Sequence, residues 1–270
     1  MRQPLGERVR DSVRLRTLDA KDRLSGRADR LVPPRRLDFV GHSDFVATGD
    51  EFLGHFIEHG GLQPHHAVLD IGCGIGRMAR PLSGYLDADG AYEGFDVNRE
   101  GIGWCRRRYA RHKSFHFQVA DLYNRRYNPL GPFKAIDYRF PFEDERFDFA
   151  IMTSVLTHLL EDEAEHYISE AARVLKPGGR AFTTFFLLEA ESRALIGSGR
   201  SGLDFLEPEA HVSVLSDDVP EEAVAYDEGW VYERVGTHGL RVLEPIHPGT
   251  WSGRDEGASF QDIVVLEKAP

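Results

Sequence analysis

Between Val68 and Arg77 the chain reads Val-Leu-Asp-Ile-Gly-Cys-Gly-Ile-Gly-Arg. A short apolar run interrupted by one aspartate reads as a buried parallel strand. Glycines at every second position from Gly72 to Gly76 let the backbone turn sharply into a helix. Such a turn, at the carboxyl end of a central strand, opens the crevice in which open α/β sheets bind small molecules. A dinucleotide fingerprint would be G-x-G-x-x-G, with a diphosphate held at the helix N-terminus. Here the spacing is G-x-G-x-G, and Arg77 stands where the third fingerprint glycine belongs. The aspartate ahead of the glycines suits a cationic ligand better than a diphosphate.

The 270 residues fit one large domain with elaborations, and 41% hydrophobic residues suffice for a sizeable core. No run approaches the ~20 apolar residues of a membrane-spanning helix. The N-terminus lacks an apolar signal core, and Cys73 and Cys105 form neither a disulfide framework nor a metal spacing. A cytoplasmic protein without a metal is therefore expected. The net charge of −11 opposes general nucleic-acid binding. That charge is uneven. Residues 1–36 carry 11 Lys/Arg and five Asp/Glu, whereas the remainder carries 22 against 39. Residues 1–36 thus read as a basic helical arm, stopped at Pro33-Pro34, on an acidic domain spanning 37–270.

Punctuation and periodicity then lay out the chain. Asp50–His59 reads as a helix stopped by Gly60-Gly61. Strands are expected at 67–71, 92–97, 115–119, 147–153 and 180–187, with helices after the glycine turn, at 99–111 and at 161–175. Asn98 is placed to cap the second of these. Asp96 ends the second strand, 20 residues beyond Gly76, where a carboxylate accepts hydrogen bonds from the vicinal ribose hydroxyls of an adenosine ligand, a dinucleotide included, or else caps the next helix. Residues 124–141 form a long irregular connection, expected at the mouth of the site. Residues 189–226 fit neither a core strand nor a simple helix and read as an insert that recognises the substrate. A helix at 227–239 and strands at 240–246 and 261–266 complete the chain.

Leu69-Asp70-Ile71-Gly72-Cys73-Gly74-Ile75-Gly76 resembles the first motif of the class I S-adenosylmethionine-dependent methyltransferases. The likeness extends through Asp96, Asp121, the Phe140–Asp148 run and the turn Leu175-Lys176-Pro177-Gly178-Gly179. It covers roughly 64–187 by motif and 227–270 by pattern. It implies a Rossmann-like, doubly wound α/β fold: a mostly parallel seven-stranded sheet whose last strand is antiparallel. It also implies S-adenosylmethionine as cofactor. Asp70, Gly72, Gly74, Gly76 and Arg77 would form the glycine turn beneath it. Asp96 and Val97 would hold the ribose, Asp121 and Leu122 the adenine, and Thr153 would lie beside the methyl donor. In proteins of this kind the segment before the first strand often folds over the cofactor, so Phe39 and Phe45 are candidates for an apolar lid or for ordinary packing.

The donor already carries a sulfonium, so alignment does most of the work, and a base is needed only for a weak nucleophile. His158, just beyond the fourth strand, is the candidate base, since a neutral imidazole takes a proton near pH 7. Its alternative role is to shape the pocket from a helix turn. His211 and Tyr226 are secondary candidates, and His166 reads as a surface residue. The favoured activity is O-methylation of a small hydroxylated molecule such as a sugar, glycolipid headgroup or secondary metabolite. N- or C-methylation, or a cofactor-binding module without turnover, are the alternatives. A homodimer is compatible with all of them.

Overall fold

The computed structural model describes residues 29–37, 44–124, 128–206 and 211–270. Phe39 and most of the basic arm lie outside these residues. Where the arm meets the body, Asp29 pairs with Arg80 at 2.8 Å, and Leu31, Val32 and Leu37 pack on the core.

The first helix, α1 (Phe45–Glu58), starts five residues earlier than periodicity places it. The reason is its cap: Asp44 accepts hydrogen bonds from the backbone N–H groups of Val46 and Ala47. Gly49, inside this helix, is a packing requirement. A Cβ there would lie 2.8 Å from the Arg77 carbonyl oxygen. Phe45 is buried in the core, so ordinary packing accounts for it.

The strands β1 (Ala67–Ile71), β2 (Ala91–Asp96), β3 (Phe115–Val119) and β4 (Phe147–Met152) alternate with α2 (Ala79–Tyr85), α3 (Arg99–Arg108) and, after β4, α4 (Glu161–Val174). Asn98 caps α3, accepting from Gly101 N–H. The fifth strand, β5 (Leu175–Phe185), begins before the Pro-Gly-Gly breaker rather than after it. The breaker becomes an irregularity in the β4–β5 register, with Gly178 at φ 76°. Lys176 pins it, its Nζ lying 2.7 and 2.8 Å from the two Asp148 oxygens.

The region read as irregular contains β6 (Leu187–Leu188) at its edge, α5 (Ala190–Gly197), β7 (Val212–Val214) and β8 (Val224–Asp227). These strands make a separate sheet in the order β6-β8-β7. Strands of two to four mostly buried residues carry too little periodicity to be read singly. After them come α6 (Glu228–Thr237), β9 (Leu240–His247) and β10 (Asp262–Lys268).

Among the described residues the main sheet has seven strands, ordered β3-β2-β1-β4-β5-β10-β9. β10 runs antiparallel to both neighbours, as expected of the last strand. Apolar clusters cover both faces, one under α4 and α6, the other under α1 to α3. This is a doubly wound arrangement, and its strand order reverses between β1 and β4. The carboxyl ends of these two strands flank the crevice.

Candidate functional site

A cavity of about 370 Å³ opens at that switch point, within the ordinary size range of small-molecule sites. Gly72, Asp96, Val97, Leu122 and His158 line it. Five of the residues singled out in the sequence therefore meet around one space.

The glycine turn forms its floor. Gly72, Gly74 and Gly76 take φ values of 75°, 58° and 81°, which side chains with a Cβ resist. Gly72 and Cys73 donate their N–H groups to the Phe95 carbonyl, tying the turn to β2. A Cβ on Gly72 would lie 2.6 Å from the Val155 side chain, so the turn interlocks with the segment after β4. Asp96 fixes the turn from the other side: its Oδ2 accepts from Gly74 N–H and its Oδ1 from Asn98 N–H. Burial pushes this carboxyl above its ordinary range, and the two backbone donors oppose that rise. Each carboxylate oxygen keeps further lone-pair capacity, and the residue lines the cavity.

Other expected residues sit elsewhere. Asp70 is 1% exposed and accepts from the Tyr92 hydroxyl at 2.7 Å. It supports the turn from beneath. Gly74, Gly76 and Arg77 are outside the lining; Gly76 faces the Cys105 sulfur instead. Asp121 turns away, 2.6 Å from Arg99 and 2.9 Å from Asn128 Nδ2. The bond from Asn128, and then the Arg99 guanidinium, hold its carboxyl below the usual range. Its neighbour Leu122 reaches the cavity. Beyond β4 it is Ser154 and Val155, rather than Thr153, that form the wall.

His158 sits in a 3-10 turn (Leu156–His158), and its Nδ1 lies 3.0 Å from the Glu221 backbone oxygen. A carbonyl oxygen only accepts, so neutral His158 carries its proton on Nδ1. Nε2 is then left with a lone pair. Tyr226 is fully buried, with its hydroxyl donating to the Leu156 and Leu159 carbonyls and its pKa driven far up by burial. It is core rather than a base. His211 lies outside the lining, and its carbonyl accepts from Asp227 N–H. His166 is not a free surface residue: its Nε2 lies 2.8 Å from the Tyr138 carbonyl oxygen.

Sequence reasoning missed several lining residues. Glu163 enters from the first turn of α4, and Val219, Glu221 and Glu222 come from the insert. Burial raises the Glu163 carboxyl; the Leu160 N–H opposes this, and the neighbouring Glu221 and Asp162 charges add to it. Tyr123, Asn124 and Ala135 come from the long connection after β3. Four acids, Asp96, Glu163, Glu221 and Glu222, are among the residues that line the cavity. Among the described residues no group of three or more His, Cys, Asp and Glu has metal-holding geometry. No described helix is long and apolar enough to cross a membrane.

The "Methyltransferase domain" family model matches residues 68–179. O-methyltransferase cnsE of Penicillium expansum is 31% identical over 42% of this chain and 35% of its own length. Squalene methyltransferase 1 of Botryococcus braunii is 30% identical over 56% of this chain and 35% of its own. The matched region thus spans about a third of each of these curated relatives. Among solved structures, magnesium protoporphyrin IX methyltransferase from Synechocystis, with S-adenosylhomocysteine bound, superimposes with a TM-score of 0.53. It is 16% identical, and the match covers 94% of this chain and 99% of that one.

Proposed function

Because residues 68–179 form a methyltransferase domain of the class I, S-adenosylmethionine-dependent family, we propose that the protein methylates a hydroxyl group on a small molecule, with His158 as general base. Acidic residues in the lining and a volume of about 370 Å³ support the reading of this cavity as the cofactor site. In this reading Asp96 holds the ribose hydroxyls, Val97 and Leu122 flank the adenosine, and Gly72 with Ser154 and Val155 brackets the methionine end. When bound, S-adenosylmethionine supplies an electrophilic methyl on a sulfonium.

The remaining work belongs to the protein. Glu221 holds the His158 imidazole in the tautomer whose Nε2 accepts a proton from a hydroxyl acceptor. The acidic wall disfavours carboxylate and phosphate acceptors and tolerates neutral polyols. Residues 189–226 act as the acceptor-recognition insert, since they deliver Val219, Glu221 and Glu222 to the cavity. In this reading residues 1–36 are a basic arm and 37–270 the methyltransferase domain, and the described end of the arm, from Asp29, packs on that domain.

The observation that carries the proposal is the His158–Glu221 pair at the cavity wall. It is tested by methyl transfer from labelled S-adenosylmethionine to a panel of sugars, glycolipid headgroups and phenolic metabolites. His158→Ala should lower turnover ~100-fold or more while sparing S-adenosylhomocysteine affinity. Unchanged turnover would leave His158 a wall residue without a role as base, whereas transfer to none of these hydroxyl acceptors would favour N- or C-methylation.

A further inference from the structure

Ser154 is one of two described non-glycine residues with positive φ, at 54°. It lies one residue past Thr153, at the point where the chain leaves β4 and enters the cavity wall. A side chain in that conformation is strained, and it persists only where its surroundings impose it.

The surroundings here are specific. Ser154 donates its backbone N–H to the Thr184 hydroxyl at 2.8 Å. The Ser154 hydroxyl donates to Gln261 Oε1 at 2.9 Å, and the Thr184 hydroxyl donates to the same oxygen at 2.6 Å. Gln261 Nε2 donates to the Thr157 hydroxyl at 3.4 Å. One amide side chain, just ahead of β10, therefore grips both ends of the turn between β4 and His158. Thr157 is fully buried and immediately precedes His158, while Val155, between the two grips, locks against Gly72.

We infer that Gln261, acting with Thr184, is a positioning residue for the ligand site: it holds the Ser154–His158 turn in its strained shape, and thereby the cavity wall and the glycine turn against it. Neither residue lines the cavity, so both act through the turn. The inference rests on the reading of this cavity as the cofactor site.

The test is calorimetric titration of the full chain with S-adenosylhomocysteine. Gln261→Met keeps the length and removes the hydrogen bonds, and should weaken binding about tenfold. The same substitution made in a Ser154→Gly background should change affinity less than about threefold, because glycine adopts the conformation without being held. Thr184→Val, which is close to isosteric, should reproduce the Gln261→Met loss, and it carries the test if Gln261→Met does not fold. Melting temperatures of each variant separate a displaced turn from a destabilised domain. Wild-type affinity in Gln261→Met, or equal losses in the serine and glycine backgrounds, would overturn the inference while leaving the site in place. If the wild type itself shows no binding, the site reading fails and takes the inference with it.

Discussion

Replacing Asp70 with asparagine tests whether the central motif stores electrostatic strain. Asp70 lies at the core of the sheet, paired through its Oδ2 with the Tyr92 hydroxyl. Burial raises its pKa from 3.8 to about 7; the Tyr92 bond opposes the rise, and the Asp96 charge adds to it. A raised folded-state pKa means the folded protein binds the proton more tightly than the unfolded chain. The associated stability is full below the unfolded value and is lost as pH rises through about 7. At 1.36 kcal/mol per unit of pKa difference, the loss between pH 5 and pH 8.5 is about 3 kcal/mol. The asparagine side chain keeps the shape and an acceptor for Tyr92 but does not titrate, so the variant's stability should lack this component. The assay is urea unfolding of the ligand-free protein and of Asp70→Asn across that pH range. The wild type should fall by about 3 kcal/mol relative to the variant. Parallel stability profiles would refute the reasoning and show Asp70 to be solvated or otherwise compensated.

Three further outcomes follow from the geometry. Asp96→Ala should weaken S-adenosylhomocysteine binding by ~1.5–3 kcal/mol, the value of hydrogen bonds to a charged group, as read by calorimetry. Gly72→Ala should cost ~1–3 kcal/mol of stability in chemical denaturation, because a Cβ meets Val155 and the backbone conformation resists one. His59 and His247 stack with ring centroids 3.8 Å apart, and burial, together with neighbouring histidines, lowers both pKa values. Depressed imidazole pKa values mean that stability is lost as pH falls below the unfolded value of 6.5. The melting temperature should therefore fall on acidification, and less steeply in His247→Phe. An equal slope in the two proteins would exclude the stack as its source.

Local chemistry decided much of this protein before any chain folded. The alternation of apolar runs with breakers sets out β1 to β4 and their helices, because strand and helix periods are written into neighbouring residues. The glycine turn and Asp96 were legible because a sharp turn and a carboxylate at a strand tip each demand particular residue types. His158 was legible as a titratable group beyond β4, but its tautomer was not, since the carbonyl that fixes it belongs to Glu221, 63 positions away. For the same reason Glu163, Glu221, Glu222 and Gln261 carried no local signal: an acid in a helix turn or an amide before a strand looks like any surface residue until distant segments converge on it. Asp121 shows the converse. Its position at a strand tip matches the pattern, yet Arg99 and Asn128 claim its side chain. The strand pattern and the candidate crevice followed from the order of residues along the chain, whereas the wall of that crevice was assembled only where the turn after β4, the start of α4, the connection after β3 and the insert meet in space.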